Sequence, residues 1–206
     1  MSKPRNPVLQ RLAAGLPLRR LPWAESKAES RFPQAAVLVA LTAEAEPRVL
    51  LGRRAQNLRR HAGEIAFAGG KREVYDPSPW ATALREAQEE VGLPVDLPDA
   101  LGELQPMITR TGFQVYPCIA SIPAEPDLIV DHCEFDSVFL PPLAVFADPH
   151  LLRLEEMSYG SKMRVVPHYQ LGEDNVWGVT AAILALVVNV AYDAGLELQR
   201  DWKVEP

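Results

Sequence analysis

Apolar residues along the chain fall into short runs of strand length and two longer segments of helix length. Residues 35–41 are apolar without interruption, which favours a buried central strand. Other short runs predict strands at residues 48–52, 102–122 and 137–140, the second of these with breaks at Gly112 and Pro117. A hairpin is predicted further on, in which residues 163–166 pair with residues 168–171. A short helix is expected at residues 143–146. Residues 53–70 lack periodicity and predict a long loop.

The first long helix is predicted between Ser78 and Gly92. Ser78 suits the N-cap, Pro79 the first turn, and Gly92 a left-handed C-terminal residue. One apolar stripe follows helical spacing and consists of Trp80, Leu84, Ala87 and Val91. Residues 177–193 predict the last helix, and a buried helix is favoured over a membrane span because the segment is short and interrupted by polar residues. Strands that alternate with helices indicate an α/β or α+β class with one mixed sheet.

The composition is that of an ordinary globular domain, with 206 residues, 48% hydrophobic and 23% charged. This length suits one domain and an arm, so we expect an N-terminal arm over residues 1–34 and one domain over residues 35–206. The net charge of −6 argues against a nucleic-acid partner. Cys118 and Cys133 are too few for a disulfide framework and no targeting segment is evident, so a cytoplasmic protein is expected.

Three carboxylates cluster on the first long helix. At 100° per residue, Glu86, Glu89 and Glu90 fall within an arc of about 100°, on the face expected to lie away from the apolar stripe. Their mutual repulsion destabilises the helix, and a divalent cation such as Mg²⁺ would remove that penalty. Arg85, one turn before Glu89, can hold one carboxylate in place. The alternative interpretation is a solvated acidic helix face.

The residues around these carboxylates resemble the Nudix box, Gly-x5-Glu-x7-Arg-Glu-U-x-Glu-Glu-x-Gly-U, in which U is aliphatic. The matching positions are Gly70, Arg85, Glu86, Ala87, Glu89, Glu90, Gly92 and Leu93. Two departures are present: the stretch from Gly70 to Arg85 is one residue longer than the pattern, and Asp76 lies nearest the first Glu position. The resemblance implies a metal-dependent pyrophosphatase with a Nudix-like α/β/α sandwich fold around a mixed β-sheet.

An upstream segment resembles the signature of the coenzyme A pyrophosphatase branch of that family. The positions in register are Arg54, Ala55, Arg59, Gly63, Phe67, Gly69 and Gly70, while Gly52 and Ala68 stand where the signature has Thr and Pro. The extra residue between Gly70 and Arg85 is similar to other members of this branch. The resemblance covers about residues 35–190. It implies hydrolysis of coenzyme A or acyl-CoA to 3′,5′-ADP and (acyl-)4′-phosphopantetheine.

The resemblance also implies roles for individual residues. Glu86 and Glu90 are expected to bind Mg²⁺ or Mn²⁺, with Glu89 sharing an ion or orienting water. The expected base is Glu89 or Glu134, and Arg85 supports the catalytic carboxylates. The expected substrate-binding residues are Arg53, Arg54, Arg59, Arg72, Gly69 and Gly70. Guanidinium groups match phosphate, so the arginines are expected to recognise a phosphate beyond the pyrophosphate, most simply the 3′-phosphate of coenzyme A.

Alternatives stay open at this point. The same chemistry could act on ADP-ribose, a dinucleotide or a nucleoside triphosphate, and a non-catalytic ligand-binding module is a third interpretation. The expected partner is a small nucleotide, with neither nucleic acid nor membrane, and a homodimer is one alternative for the oligomeric state. His132 and Cys133 lack a second pair at zinc spacing, so zinc is not expected. Trp177 and Thr180 are expected in the core or at a dimer contact.

Overall fold

Eleven strands in three sheets and three α-helices form the part of the chain that the computed structural model describes, residues 6–18, 23, 32–159 and 162–198. The strands are β1 (Gln34–Thr42), β2 (Leu51–Arg54), β3 (Ile65–Ala66), β4 (Ala68–Lys71), β5 (Asp99–Glu103), β6 (Met107–Ile108), β7 (Gln114–Ile122), β8 (Phe135–Phe139), β9 (Leu152–Tyr159), β10 (Lys162–Leu171) and β11 (Asp174–Trp177). The helices are α1 (Pro7–Gly15), α2 (Pro79–Val91) and α3 (Gly178–Tyr192), with a 3₁₀ turn at Leu143–Ala147.

The central sheet has the strand order β4-β1-β7-β5, and β6 also pairs with β7. Strands β1 and β7 are parallel and the other pairs are antiparallel, so the sheet is mixed, as predicted. Because side chains alternate along a strand, β1 contributes to two cores. Leu38 and Ala40 pack in the apolar cluster that contains residues of α2. Val39 and Leu41 pack in the cluster that contains residues of α1 and α3. The predicted α/β/α sandwich is therefore confirmed.

Two smaller sheets flank the central one, in the orders β3-β2-β8 and β11-β10-β9. The predicted loop over residues 53–70 is wrong in part, because β3 lies within it and β2 and β4 overlap its two ends. Strand β4 pairs with β1, with Gly70 opposite Ala36 and Gly69 opposite Val37. This pairing places the two glycines on the central sheet, directly beside α2.

Two proline residues lie inside continuous strands: Pro117, which was expected to break a strand, and Pro167, which separates the two strands of the predicted hairpin. Pro117 is within β7, opposite the connection between β5 and β6, so its missing N–H removes no ladder bond on that side. Pro167 is within β10, which makes the predicted hairpin of 163–166 with 168–171 wrong. The ladder from β10 to β11 ends at His168, and β10 pairs with β9 along the other edge. The strand expected at residues 48–52 begins later, at Leu51.

The N-terminal segment contributes a helix to the core. Leu9 and Leu12 of α1 are buried in the cluster that includes α3. The boundary of the predicted arm at residue 34 stays a prediction, and residues 1–5, 19–22 and 24–31 of that arm lie outside the described residues. The helix predicted at residues 177–193 is α3, and its side chains are largely buried. Within the described ranges, no helix is long and apolar enough to cross a membrane.

Candidate active site

Local sequence determines where α2 begins and ends. The Ser78 hydroxyl accepts a hydrogen bond from the Ala81 N–H at 3.2 Å, and Gly92 ends the helix with φ of 70°. Trp80, Ala87 and Val91 of the predicted stripe are buried, and Leu84 is partly buried against the same cluster. The helix packs on β4 and β1, so its inner face meets the strand that carries the two glycines.

Glu90 lies on the inner face of α2, which contradicts the expectation that all three carboxylates face away from the apolar stripe. Its side chain is 4% exposed, and its Oε2 accepts a hydrogen bond from the Gly69 N–H at 2.9 Å. Burial, together with the nearby charges of Glu86 and Glu134, raises the pKa of Glu90 to about 8, although the Gly69 hydrogen bond and Arg54 act in the opposite direction. The site therefore holds a buried carboxylate whose negative charge is poorly compensated by the protein.

Arg85 links the other two helix carboxylates. Its Nη2 donates to Glu86 at 2.9 Å and its Nη1 donates to Glu89 at 2.8 Å. Glu86 is 16% exposed whereas Glu89 is 57% exposed, so Glu89 is the solvent-facing member. Burial raises the pKa of Glu86, although Arg85 opposes this shift. A Cβ at Gly70 would overlap the Glu86 carboxylate, so only glycine allows the strand to approach it this closely.

Asp76, which the sequence showed only as a departure from the Nudix pattern, positions Arg85. The carboxylate is 4% exposed and accepts two hydrogen bonds from Arg85, at 3.2 Å from Nε and at 3.0 Å from Nη2. It also accepts from the Thr82 hydroxyl at 2.8 Å and from the Glu73 N–H at 3.0 Å. These bonds hold the pKa of Asp76 below its usual value despite burial, which acts in the opposite direction.

Replacing Asp76 by Asn is expected to lower the free energy of unfolding by about 2–4 kcal/mol, because the mostly buried Arg85 guanidinium loses the most buried of its three charged partners. The NH₂ group of the new amide would also face the Arg85 guanidinium, the Thr82 hydroxyl and the Glu73 N–H, which are themselves hydrogen-bond donors. Chemical denaturation of the variant measures the loss, with Asp96→Asn, an exposed loop position, as the control. A loss below about 0.5 kcal/mol, the usual range of surface substitutions, would show that Asp76 does not hold Arg85 in the way described.

A second group of residues reaches the carboxylates from β2 and from the turn before β8. The Asp131 N–H donates to the Glu90 carbonyl and the Ala55 N–H donates to the Glu134 carbonyl, both at 2.9 Å, so the turn is fixed between the end of α2 and the end of β2. Arg54 donates to Glu134 at 3.4 Å. Its Nε is buried without a hydrogen-bond partner among the described residues. A guanidinium that is partly buried and incompletely paired is suited to an additional anion.

The remaining arginines of the predicted substrate-binding set lie in different surroundings. Arg53 forms an ion pair with Asp174 of β11. Arg72 donates to the Gln34 side chain at 2.9 Å and lies over the ring of Trp23. Arg59 is exposed in the segment between β2 and β3. The structure thus brings Arg54 to the carboxylates, whereas the described contacts of Arg53 and Arg72 are with other groups.

A cavity of about 410 Å³ opens beside Gly69 and Gly70. Its lining includes Arg54 from β2 and extends to Trp177 and Thr180 at the start of α3. The sequence predicted Trp177 and Thr180 in the core or at a dimer contact, because no local pattern shows that the start of α3 lines the same cavity as the glycines of β4. The cavity is of the size that binds small organic ligands in proteins.

The donor set at the carboxylates is compatible with a hard divalent cation. Carboxylate oxygens are the ligands that Mg²⁺ takes in phosphate-processing sites, and the buried Glu90 would gain the compensating charge it lacks. Gly70 leaves space next to Glu86 that a side chain would fill. Among the described residues no three His, Cys, Asp or Glu side chains are already gathered in a metal-ligating arrangement, and Arg85 engages Glu86 and Glu89 instead. The residues therefore fit a divalent cation in the type of their donor atoms, and not through a ligand arrangement that is already formed.

Comparison with known proteins identifies the class. The sequence matches the family model of the NUDIX domain over residues 32–159. It is 39% identical over 184 residues to the uncharacterized Nudix hydrolase NudL of Cronobacter sakazakii, over 86% of this chain and 91% of that protein. The NudL of Pectobacterium atrosepticum is 40% identical over 153 residues, covering 73% of this chain and 79% of that protein.

The fold is similar to that of a MutT/nudix family protein from Enterococcus faecalis. The crystal structure of that protein matches with a TM-score of 0.54 at 20% identity, over 82% of this chain and 66% of that chain. Together with the sequence matches, this likeness defines an α/β/α hydrolase with a carboxylate-bearing helix on a mixed sheet. The chain belongs to the Nudix family and is a Nudix hydrolase.

Proposed function

We propose that this Nudix hydrolase cleaves the pyrophosphate bond of coenzyme A or acyl-CoA, giving 3′,5′-ADP and (acyl-)4′-phosphopantetheine. The observation that carries the proposal is the proximity of buried Glu90 to Glu134 and to Arg54, which also lines the cavity. Carboxylates for a cation and an incompletely paired guanidinium for an anion stand side by side there. Four of the residues that resemble the coenzyme A branch line this cavity, namely Arg54, Phe67, Gly69 and Gly70, which supports the proposal.

Mg²⁺ or Mn²⁺ is the proposed cofactor, with Glu86 and Glu90 as its ligands and Glu89 as a further one. A bound divalent ion would neutralise the charge of the pyrophosphate and lower the pKa of a water molecule. Arg85 keeps Glu86 and Glu89 next to each other, and Asp76 keeps Arg85 in place. The Gly69 N–H donates to Glu90 and fixes its carboxylate beside β4, whose two glycines line the cavity.

Glu134 and Glu89 are the proposed bases, since each is exposed enough to exchange a proton with solvent. The base takes a proton from the attacking water as the new phosphorus–oxygen bond forms and the bridging phosphorus–oxygen bond breaks. Arg54 is proposed to bind the pyrophosphate itself, because it lies next to Glu90 and Glu134. Arg53, Arg59 and Arg72 remain proposed phosphate contacts. The cytoplasm remains the proposed compartment and a homodimer a proposed assembly.

A substrate panel tests the proposal directly. The protein is incubated with Mg²⁺ or Mn²⁺ and with coenzyme A, acetyl-CoA, ADP-ribose, a dinucleoside polyphosphate or ATP, and the products are identified by mass spectrometry. We expect coenzyme A or acetyl-CoA to give the highest kcat/KM, with 3′,5′-ADP as a product and no turnover in EDTA. A clearly higher kcat/KM on ADP-ribose, a dinucleotide or ATP would replace coenzyme A by that substrate.

A further inference from the structure

The turn between β6 and β7 forms one wall of the cavity. Within it the Thr109 hydroxyl accepts from the Phe113 N–H at 2.9 Å, and the Gly112 N–H donates to the Thr109 carbonyl at 3.0 Å. Gly112 has φ of 81°, which suits glycine at this point of a tight turn. These bonds fix the backbone that carries Arg110 and Phe113, and both side chains line the cavity.

This wall runs from Lys71, at the end of β4, to the start of α3. At one end the Nζ of Lys71 lies 5.4 Å from the centre of the Phe113 ring, and Lys71 directly follows the glycine that touches Glu86. At the other end the Cζ of Arg110 lies 5.7 Å from the centre of the Trp177 ring. A substrate whose pyrophosphate lies at Glu86 can therefore extend one of its two halves along this wall.

The cavity carries a strong excess of positive charge in an acidic protein. Five cationic side chains of the described residues line it, namely Arg54, Arg60, Lys71, Arg110 and Arg164, against a single carboxylate, Glu64. His61 forms a hydrogen bond with that carboxylate at 2.9 Å. The chain as a whole has a net charge of −6, so this local excess is a property of the site. Low-dielectric walls strengthen its attraction for anions.

Apolar and aromatic residues form a large part of the remaining lining. Val37, Val115 and Val166 contribute from three strands and Ile183 from α3. Apolar walls with aromatic faces bind flat ring systems, while guanidinium groups bind phosphate. The cavity thus presents two kinds of binding surface, one for a ring and one for an anion.

We propose that this cavity binds the nucleoside half of the substrate, and that Arg110 and Arg164 recognise a phosphate on that half in addition to the scissile pyrophosphate. The proposal rests on the proposed function, which places the pyrophosphate at the carboxylates. The pantetheine half is an uncharged chain of amides beyond its own phosphate, so it offers no ring for Phe113 and no anion for Arg110. The nucleoside half of coenzyme A offers both an adenine and a 3′-phosphate.

Product binding measured by titration calorimetry in the presence of Mg²⁺ tests this inference. The probes are adenosine 3′,5′-bisphosphate, AMP and 4′-phosphopantetheine, and the proteins are the wild type, Arg110→Gln, Arg164→Gln and Arg153→Gln. Arg153 is an exposed arginine of β9 that pairs with Glu155 and does not line the cavity, so it is the matched control. We expect the wild type to bind the bisphosphate about tenfold or more tightly than AMP, since the binding free energy of one charge-assisted contact corresponds to at least that change in affinity.

In Arg110→Gln or Arg164→Gln this preference should fall by about tenfold, while Arg153→Gln keeps it. Equal binding of the two nucleotides by the wild type would overturn the inference. So would an unchanged preference in both cavity variants, or a loss confined to 4′-phosphopantetheine. If the wild type shows the preference but does not cleave coenzyme A, the proposed function fails and the subsite stands. If it cleaves coenzyme A without the preference, the subsite fails and the proposed function stands.

Discussion

Glu90→Gln is expected to lower kcat about a hundredfold or more, which corresponds to about 2.7 kcal/mol of transition-state stabilisation. Glutamine keeps the size of the side chain and can still accept the hydrogen bond from Gly69, but it removes the buried negative charge that a divalent ion would compensate. The same loss is expected for Glu86→Gln, whose carboxylate lies next to Gly70. Steady-state rates at saturating coenzyme A and metal measure the effect.

Glu156→Gln serves as the control for this prediction, because it makes the same chemical change at an exposed position of β9. It should keep the wild-type kcat. Retention of more than about a tenth of the activity in Glu90→Gln at saturating metal would remove Glu90 from the proposed metal ligands. Glu86 is judged by the same criterion, independently of Glu90.

Arg54→Ala is expected to lower kcat/KM by about ten- to a hundredfold, since a hydrogen bond to a charged group contributes about 1.5–3 kcal/mol. Because Arg54 adjoins Glu90 and Glu134, the loss should be similar for coenzyme A and for dephospho-coenzyme A, which lacks only the 3′-phosphate. Kinetics of both substrates with the wild type and the variant provide the measurement. Arg153→Ala, outside the cavity, should leave both values unchanged.

A different outcome would reassign Arg54. A loss on coenzyme A alone would mean that Arg54 binds the 3′-phosphate, as the sequence first suggested. No loss on either substrate would mean that its contacts with Glu134 and the Phe135 ring are structural. The same comparison in Arg59→Ala tests the exposed arginine of the predicted set, which has no described contact with the carboxylates.

The sequence predicted α2 almost residue by residue. Ser78, Pro79 and Gly92 act through hydrogen bonds and backbone angles within one helical turn, so their effect can be recognised without knowing the fold. The central strand β1 was predicted for a similar reason, since an uninterrupted apolar run requires burial on both faces. The motif that indicated the Nudix family is likewise carried by consecutive residues of α2.

The strand boundaries were predicted less well, because the effect of a proline on a strand depends on the adjacent strand with which it pairs. Pro117 and Pro167 break a strand only where the adjacent strand needs their N–H, and the pairing partners are distant in sequence. Strands β3 and β4 are two and four residues long, and their pairing depends on β2 and β1. A segment this short has no periodicity of its own to recognise.

For this protein the sequence alone determined the carboxylate helix, the central strand, the α/β class and the type of chemistry. Only the tertiary structure decided that Glu90 is buried, because the inner face of α2 is defined by the sheet on which it packs. Only the tertiary structure also brought Glu134 to Arg54, and Arg110 to Trp177. These contacts join residues far apart along the chain, and they form through strand pairing and helix packing that leave no local pattern in the sequence.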